Sequence, residues 1–388
     1  MMLKTIEFIK NNENWKELIQ LEPYFIKIDE EQNYVCLSYS QTESDFSQEL
    51  VRECRGLIID KNTLEPVALS FYKFFNVQEQ WADKINWSFC RVQEKIDGSK
   101  ILIWFDKYSN RWRISTSSKL DASILDIQGT GITFQDLVYK VLNDKFEDVN
   151  YFWDYCLDKS KCYTFELVSP ESRVVIQYKD TNMFLIGVRD IQTFEERVPA
   201  TEVELCKYFE RPKQYPLTSL KACLEATDKM GFDEEGFVVV DLDWNRVKIK
   251  SPAYVAAHYL RNNGVQSRKR ILELIERNEQ SEFLGYFPEY KDTVDEVKDA
   301  KDKFMSELIY ALSDIYGKKL VQMFTGWTRK DFALYINEYY PKLQGFLFRL
   351  LDADLIKLFA ESQFKQLQVN KKLELIGIKE VEEELEEN

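Results

Sequence analysis

The chain has 388 residues, enough for two domains and a full core, with 45% hydrophobic and 14% aromatic content and a formal charge of −14. That acidity argues against indiscriminate nucleic-acid binding, though not against a local basic groove. No apolar run is long enough to span a membrane and the start, Met1-Met2-Leu3-Lys4-Thr5-Ile6-Glu7, is not signal-like, so a cytoplasmic protein is expected.

The seven cysteines include no Cys-x-x-Cys and lie mostly in apolar contexts, which predicts buried reduced thiols and neither a disulfide framework nor a zinc site. His258 is the single histidine, so a serine–histidine triad or a histidine metal cage has little to stand on.

In chain order, Leu3, Ile6, Ile9, Trp15, Leu18 and Ile19 mark a helical stripe over 3–20. Tyr24–Ile28 and Tyr34–Tyr39 read as a hairpin, and Arg55–Asp60 with Pro66–Ser70 repeats the pattern. Strands follow at Phe89–Val92, Ile101–Phe105 and Arg111–Thr116. Residues 121–158 read as helical, 162–168, 173–178 and 183–189 as strands, 201–230 as helical, and Gly236–Asp241 with Arg246–Lys250 as strands. From Pro252 the spacing is helical nearly throughout: 253–261, 267–286, 291–315, 317–325, 329–338, 342–350 and 353–368. Thr328 with Asp331 predicts a helix cap, Pro341 a restart, and the acidic run from Lys379 to Asn388 a solvated end. The expectation is therefore an α+β fold, an antiparallel-sheet domain over 1–258 followed by an all-helical domain over 259–388.

The organising stretch is Glu94-Lys95-Ile96-Asp97-Gly98-Ser99, between two predicted strands. A lysine at a strand end is held still, and a glycine three residues on lets the backbone pass close to a ligand. Five other stretches carry charge in short apolar settings: Arg55 in ECRG, Lys73 in KFFN, Glu166 in FELV, Glu235 in EEGFVV, and Lys248 with Lys250 on one strand face in VKIKS. Singly, each reads as ordinary surface charge. Together they supply a nucleophile, phosphate clamps and a metal-supporting carboxylate.

In their order ECRG, KFFN, EKIDGS, SSK, FELV, EEGFVV and VKIKS, these stretches resemble the covalent nucleotidyltransferases, and within them the T-even phage RNA ligase 1 family. The motif resemblance spans roughly residues 50–260. It implies a nucleotidyltransferase domain and an ATP-dependent RNA ligase, with Lys95 attacking the α-phosphorus of ATP. It also implies that Lys248 and Lys250 contact the α-phosphate, that Glu166 binds the ribose hydroxyl, and that Glu235 supports a divalent metal, Mg²⁺ or Mn²⁺. Arg55, Lys73, Phe75, Glu94 and Lys119 fall on or beside nucleotide-binding positions, Lys119 also on a catalytic one, although the family's Ser-Lys-Gly is Ser118-Lys119-Leu120 here.

A free lysine is mostly protonated at neutral pH, so an attacking lysine needs neighbouring cations to disfavour its ammonium form. By the same resemblance the substrate is RNA with 5′-phosphate and 3′-hydroxyl ends, such as a cleaved tRNA, the enzyme a monomer, and the setting the host cytoplasm if phage-encoded. Arg268, Lys269, Arg270, Lys318, Lys319, Trp327, Arg329 and Lys330 are candidate RNA contacts in the helical domain. A capping-type guanylyltransferase, a DNA ligase, or a non-catalytic RNA-binding protein are the alternatives on the same fold.

Overall fold

Alternating apolar and polar side chains build strands through the first 250 residues, and period-3.6 stripes build helices after them. The computed structural model describes residues 3–41, 43–127, 129–260, 268–325, 328–344, 347–348, 364 and 367–378. The chain divides into two compact units, Met1–His258 and Tyr259–Asn388. Among the described residues no helix is long and apolar enough to cross a membrane.

In the first unit, β1 (Ile26–Glu30), β2 (Tyr34–Tyr39), β3 (Arg55–Asp60) and β4 (Pro66–Ala68) make one antiparallel sheet in chain order. The next strands are β5 (Phe75–Asn76), β6 (Cys90–Glu94), β7 (Ser99–Asp106), β8 (Arg111–Thr116), β9 (Lys161–Val168), β10 (Asn182–Asp190), β11 (Glu196–Arg197), β12 (Gln214–Tyr215), β13 (Gly236–Asp241) and β14 (Arg246–Lys250). They form a second sheet, β12-β6-β13-β14-β5, and a third, β11-β10-β9-β7-β8. Pairing is antiparallel apart from β14 with β5. Buried Tyr34, Cys36 and Ile58 of the first sheet pack on Leu102, Trp104 and Cys162 of the third. Behind the second sheet, Val92, Phe237, Val239, Val247 and Ile249 bury one face, with Cys223 of the helix Leu220–Thr227 in the same core. On the opposite face β6 and β14 present polar side chains, Arg91, Gln93, Arg246, Lys248 and Lys250, on either side of Val238 and Val240 of β13.

Several expectations differ. Residues 173–178 form no strand. Two backbone N–H groups there, of Val175 and Ile176, donate to the Asp97 carboxylate, so they are spent on a side chain and not on a ladder. The interval 201–230 is broken by β12, which sits between Pro212 and Pro216 and pairs with β6. Within 121–158 the one long helix is Phe134–Lys145, opened by a Thr133–Asp136 capping box.

In the second unit Lys291–Thr325 is one continuous helix, because Gly317 does not interrupt it. Thr328 and Asp331 make the expected reciprocal cap of Arg329–Tyr339, and Pro341 starts only a short turn, Pro341–Leu343. A helix at Val369–Ile376 had no sequence counterpart. The 353–368 expectation and the acidic tail lie almost wholly outside the described residues.

Candidate active site

Lys95 follows directly on β6, where its backbone N–H donates to the Gly236 carbonyl at 2.9 Å. That bond sets the lysine beside the β13 start and hence beside Glu235. Register does the rest. Gly236 lies opposite Lys250, Val238 lies between Gln93 and Lys248, and Val240 lies between Arg91 and Arg246. Gly236 has φ +129°, and a Cβ there would stand 2.1 Å from the Ile249 carbonyl oxygen, so only glycine permits the approach of β13 to β14. Gly98 is required for a similar reason, since its Cβ would meet the Leu167 carbonyl at 2.4 Å.

These elements wall a cavity of about 290 Å³. Lys95, Glu94, Lys248, Lys250, Arg55 and Glu166 line it, together with Lys100, Arg246, Phe71 and Phe74. At one end the Lys95 ammonium donates to Glu235 Oε2 at 2.7 Å, while Lys250 Nζ lies 3.9 Å from Oε1. Glu235 is 4% exposed, so this is a buried carboxylate compensated by two lysines. Arg55 lies over the Phe74 ring, 4.8 Å from its centroid, and its backbone carbonyl accepts from Lys100 Nζ at 3.0 Å. Glu94 is tied at the rim to Lys213, whose backbone it both donates to and accepts from.

Four nominated residues do not line the cavity: Glu235, which meets it only through its pairs with Lys95 and Lys250, and three that lie elsewhere. The Lys73 ammonium is among the rings of Tyr39, Phe46 and Phe75, at 4.9–5.5 Å, and donates to Gln41. Phe75 is buried in the core of the first sheet. Lys119 pairs with Asp29 at 2.8 Å, and the same carboxylate accepts the Leu120 amide. Sequence reasoning missed Lys100, Arg246 and Phe74. Arg246 was legible from alternation with Lys248 and Lys250, and Phe74 from its place in KFFN. Lys100 carried no separate signal.

Burial pushes the Glu166 carboxyl up to about 7; the Lys95 charge opposes that shift and the Glu235 charge adds to it. Burial likewise holds the Lys100 amine well below the usual lysine range, with Arg55 acting in the same direction. The two face each other across β7 and β9. Between about pH 4.5 and 7 the unfolded chain loses the Glu166 proton while the folded chain keeps it, so this group makes stability fall as pH rises through that window. Glu166→Gln is therefore expected to be more stable than the parent at pH 8, by up to about 3 kcal/mol. The gain should shrink towards pH 5, as followed by denaturant melts at both pH values. An equal difference at the two pH values would contradict this.

The basic residues of the helical unit are partly committed. Arg268 pairs with Glu296 at 3.0 Å, buried Arg270 pairs with Glu273 at 2.9 Å, and Lys318 lies over the Tyr335 ring. Arg329 and Lys330 are exposed at a helix start. The Lys319 side chain and Trp327 lie outside the described residues.

Residues 53–254 match the family model for RNA ligase of the T4 RNA ligase 1 type. A protein of Autographa californica nuclear polyhedrosis virus, provisionally named a bifunctional polynucleotide kinase/RNA ligase, is 32% identical over 71% of this chain. The chain spans 41% of that relative's length. An RNA ligase of Rhodothermus phage RM378 is 25% identical over 75% of this chain and 74% of its own. Among solved structures, an archaeal ATP-dependent RNA ligase shares 13% identity and a TM-score of 0.46, over 80% of this chain and 82% of that one. With the family match covering more than half of its length, the chain belongs to the T4-type RNA ligase 1 family.

Proposed function

We propose that this RNA ligase uses ATP to join a 5′-phosphate to a 3′-hydroxyl through a lysyl-AMP at Lys95. The observation that carries the reading is the placement of Lys95 at the cavity end, between buried Glu235 and the lysine face of β14. In the first step the Lys95 nitrogen forms a bond to the α-phosphorus. The bond from that phosphorus to the bridging oxygen breaks, and its electron pair leaves with pyrophosphate. The amine must also shed a proton, for which Glu235 is the nearest base.

Lys248 and Lys250 neutralise the α-phosphate oxygens, Arg55 meets the phosphates further along, and Glu166 holds the ribose hydroxyl. AMP then passes to the RNA 5′-phosphate, and attack of the 3′-hydroxyl on that adenylated end seals the strand and releases AMP. Mg²⁺, or Mn²⁺, is the expected metal. Among the described residues no group of three or more His, Cys, Asp or Glu gathers as a cage. That suits an ion carried in by the triphosphate and held by Glu235 with the nucleotide's own oxygens, where it would offset phosphate charge. Lys73, Phe75 and Lys119 would support the nucleotide site from outside the cavity wall. The helical unit would hold structured RNA, such as a cleaved tRNA, through Arg329 and Lys330. The enzyme would act as a monomer in the cytoplasm.

The test is incubation with [α-³²P]ATP and Mg²⁺, followed by a 5′-phosphorylated RNA oligomer. A covalent label on the protein, stable to alkali and released by acid as a phosphoramidate is, and a circular RNA are expected. Label from GTP and not ATP would point to capping, sealing of nicked DNA alone to a DNA ligase, and RNA affinity without label to a binding protein.

A further inference from the structure

One charged cluster on the cavity wall is not used by the chemistry above. Arg246 stands two residues before Lys248 on the same face of β14, about 7 Å further along the strand. It is 7% exposed. Its guanidinium lies 4.2 Å from the centroid of Phe71 and 5.8 Å from that of Phe74, the ring that also carries Arg55. Glu196 accepts from it twice, at 3.3 and 2.7 Å, and accepts from Arg189 at 2.8 Å. Two guanidiniums thus share one carboxylate, and a second carboxylate, Asp83, accepts the Arg246 backbone N–H at 2.9 Å. Arg91 is a third guanidinium, in the same cross-strand row through Val240, and it gives the cluster its surplus positive charge. Its guanidinium is disfavoured first by burial and next by Arg246 itself.

Burying surplus cations costs stability, and an anion seated there would recover the cost. In-line displacement dictates where that anion lies. Pyrophosphate departs on the side of the α-phosphorus opposite the attacking nitrogen. Lys95 and Lys250 share one end of the sheet face, Lys248 comes next, and Arg246 follows with Arg55 beyond the Phe74 ring.

We propose that Arg246 is a substrate-binding residue that, together with Arg55, clamps the pyrophosphate end of the nucleotide. The proposal rests on the ligase reading. Arginine suits the role because its five N–H donors outnumber the two given to Glu196, and the Glu196 pairing with the Phe71 stack holds the guanidinium in place before ligand arrives.

The reverse reaction isolates this end of the substrate. Full-length protein is first converted to labelled lysyl-AMP at saturating ATP. Loss of label to ATP is then followed against pyrophosphate concentration. Arg246→Met is expected to raise the half-saturating pyrophosphate concentration at least tenfold, with the limiting rate within about threefold of the parent. Arg246→Lys, which keeps the charge and has fewer N–H donors, should raise it by a smaller factor, and it serves alone if the methionine variant does not fold. Half-saturation unchanged in the folded variants, with only the limiting rate or the melting temperature lowered, would mark Arg246 as a structural ion pair and overturn the proposal. Absence of any label on the wild-type protein would overturn the ligase reading itself, and this proposal with it.

Discussion

Lys95→Ala is expected to remove the covalent label from protein incubated with [α-³²P]ATP, a loss of more than about 10³-fold, because no other side chain can take the place of a covalent nucleophile. The substitution also has a structural consequence. Lys95 sits 2.7 Å from one oxygen of Glu235, which is 4% exposed, and Lys250 at 3.9 Å is the cation left behind. Truncating Lys95 leaves a buried carboxylate under-compensated, and about 1–3 kcal/mol of stability should be lost. The double variant Lys95→Ala/Glu235→Gln removes that charge and should recover most of the melting temperature while remaining unlabelled. Recovery of stability without recovery of label separates the chemical role of the amine from its role as counter-ion. Labelling of Lys95→Ala at the parent's level would rule out the nucleophile assignment.

The parts of this fold that could be read from the sequence are those where one local rule governs. The β13 bounds followed from a short β-branched run and those of β14 from alternation, and the lysines at 248 and 250 fell on one face because strands have period 2. The Thr328 cap followed from a local hydrogen-bond pattern. What could not be read depends on contacts between distant segments. Arg173–Tyr178 has strand propensity in Val174, Val175 and Ile176, but a carboxylate almost eighty positions upstream takes two of its amides. Lys119 is adjacent in sequence to nothing acidic except Asp121, and its partner is Asp29, ninety positions away. Lys100 looks like a surface lysine until β9 is paired beside β7 and Glu166 stands across from it. Arg246 is the exception. Its face was readable, and only its partner Glu196, fifty positions earlier, was not.

Asp97 carries the second large prediction. In the sequence it is one letter of the lysine motif, and chemistry gives it no obvious task. In the structure it is 5% exposed and fully engaged. Oδ2 accepts the amides of Val175 and Ile176 at 2.9 and 2.7 Å, and Oδ1 accepts the Tyr254 hydroxyl at 2.8 Å. Tyr254 belongs to the helix Pro252–Leu260, which starts two residues after Lys250. One carboxylate therefore ties the turn after Lys95 to the segment after Lys250, from outside the cavity lining. Asp97→Ala would orphan three donors at once, two of them buried, and a loss of about 3–5 kcal/mol in unfolding free energy is expected. Tyr254→Phe removes one of those bonds and should cost about 1 kcal/mol. Asp97→Asn keeps an acceptor but sets an amide N–H₂ among donors, so it should fall between the two. If the pin positions Lys95, the labelling rate at saturating ATP should follow the same order in variants that remain folded. Rates near the parent's in a folded but destabilised Asp97→Asn would show that the carboxylate holds the fold together and leaves the nucleophile where it is.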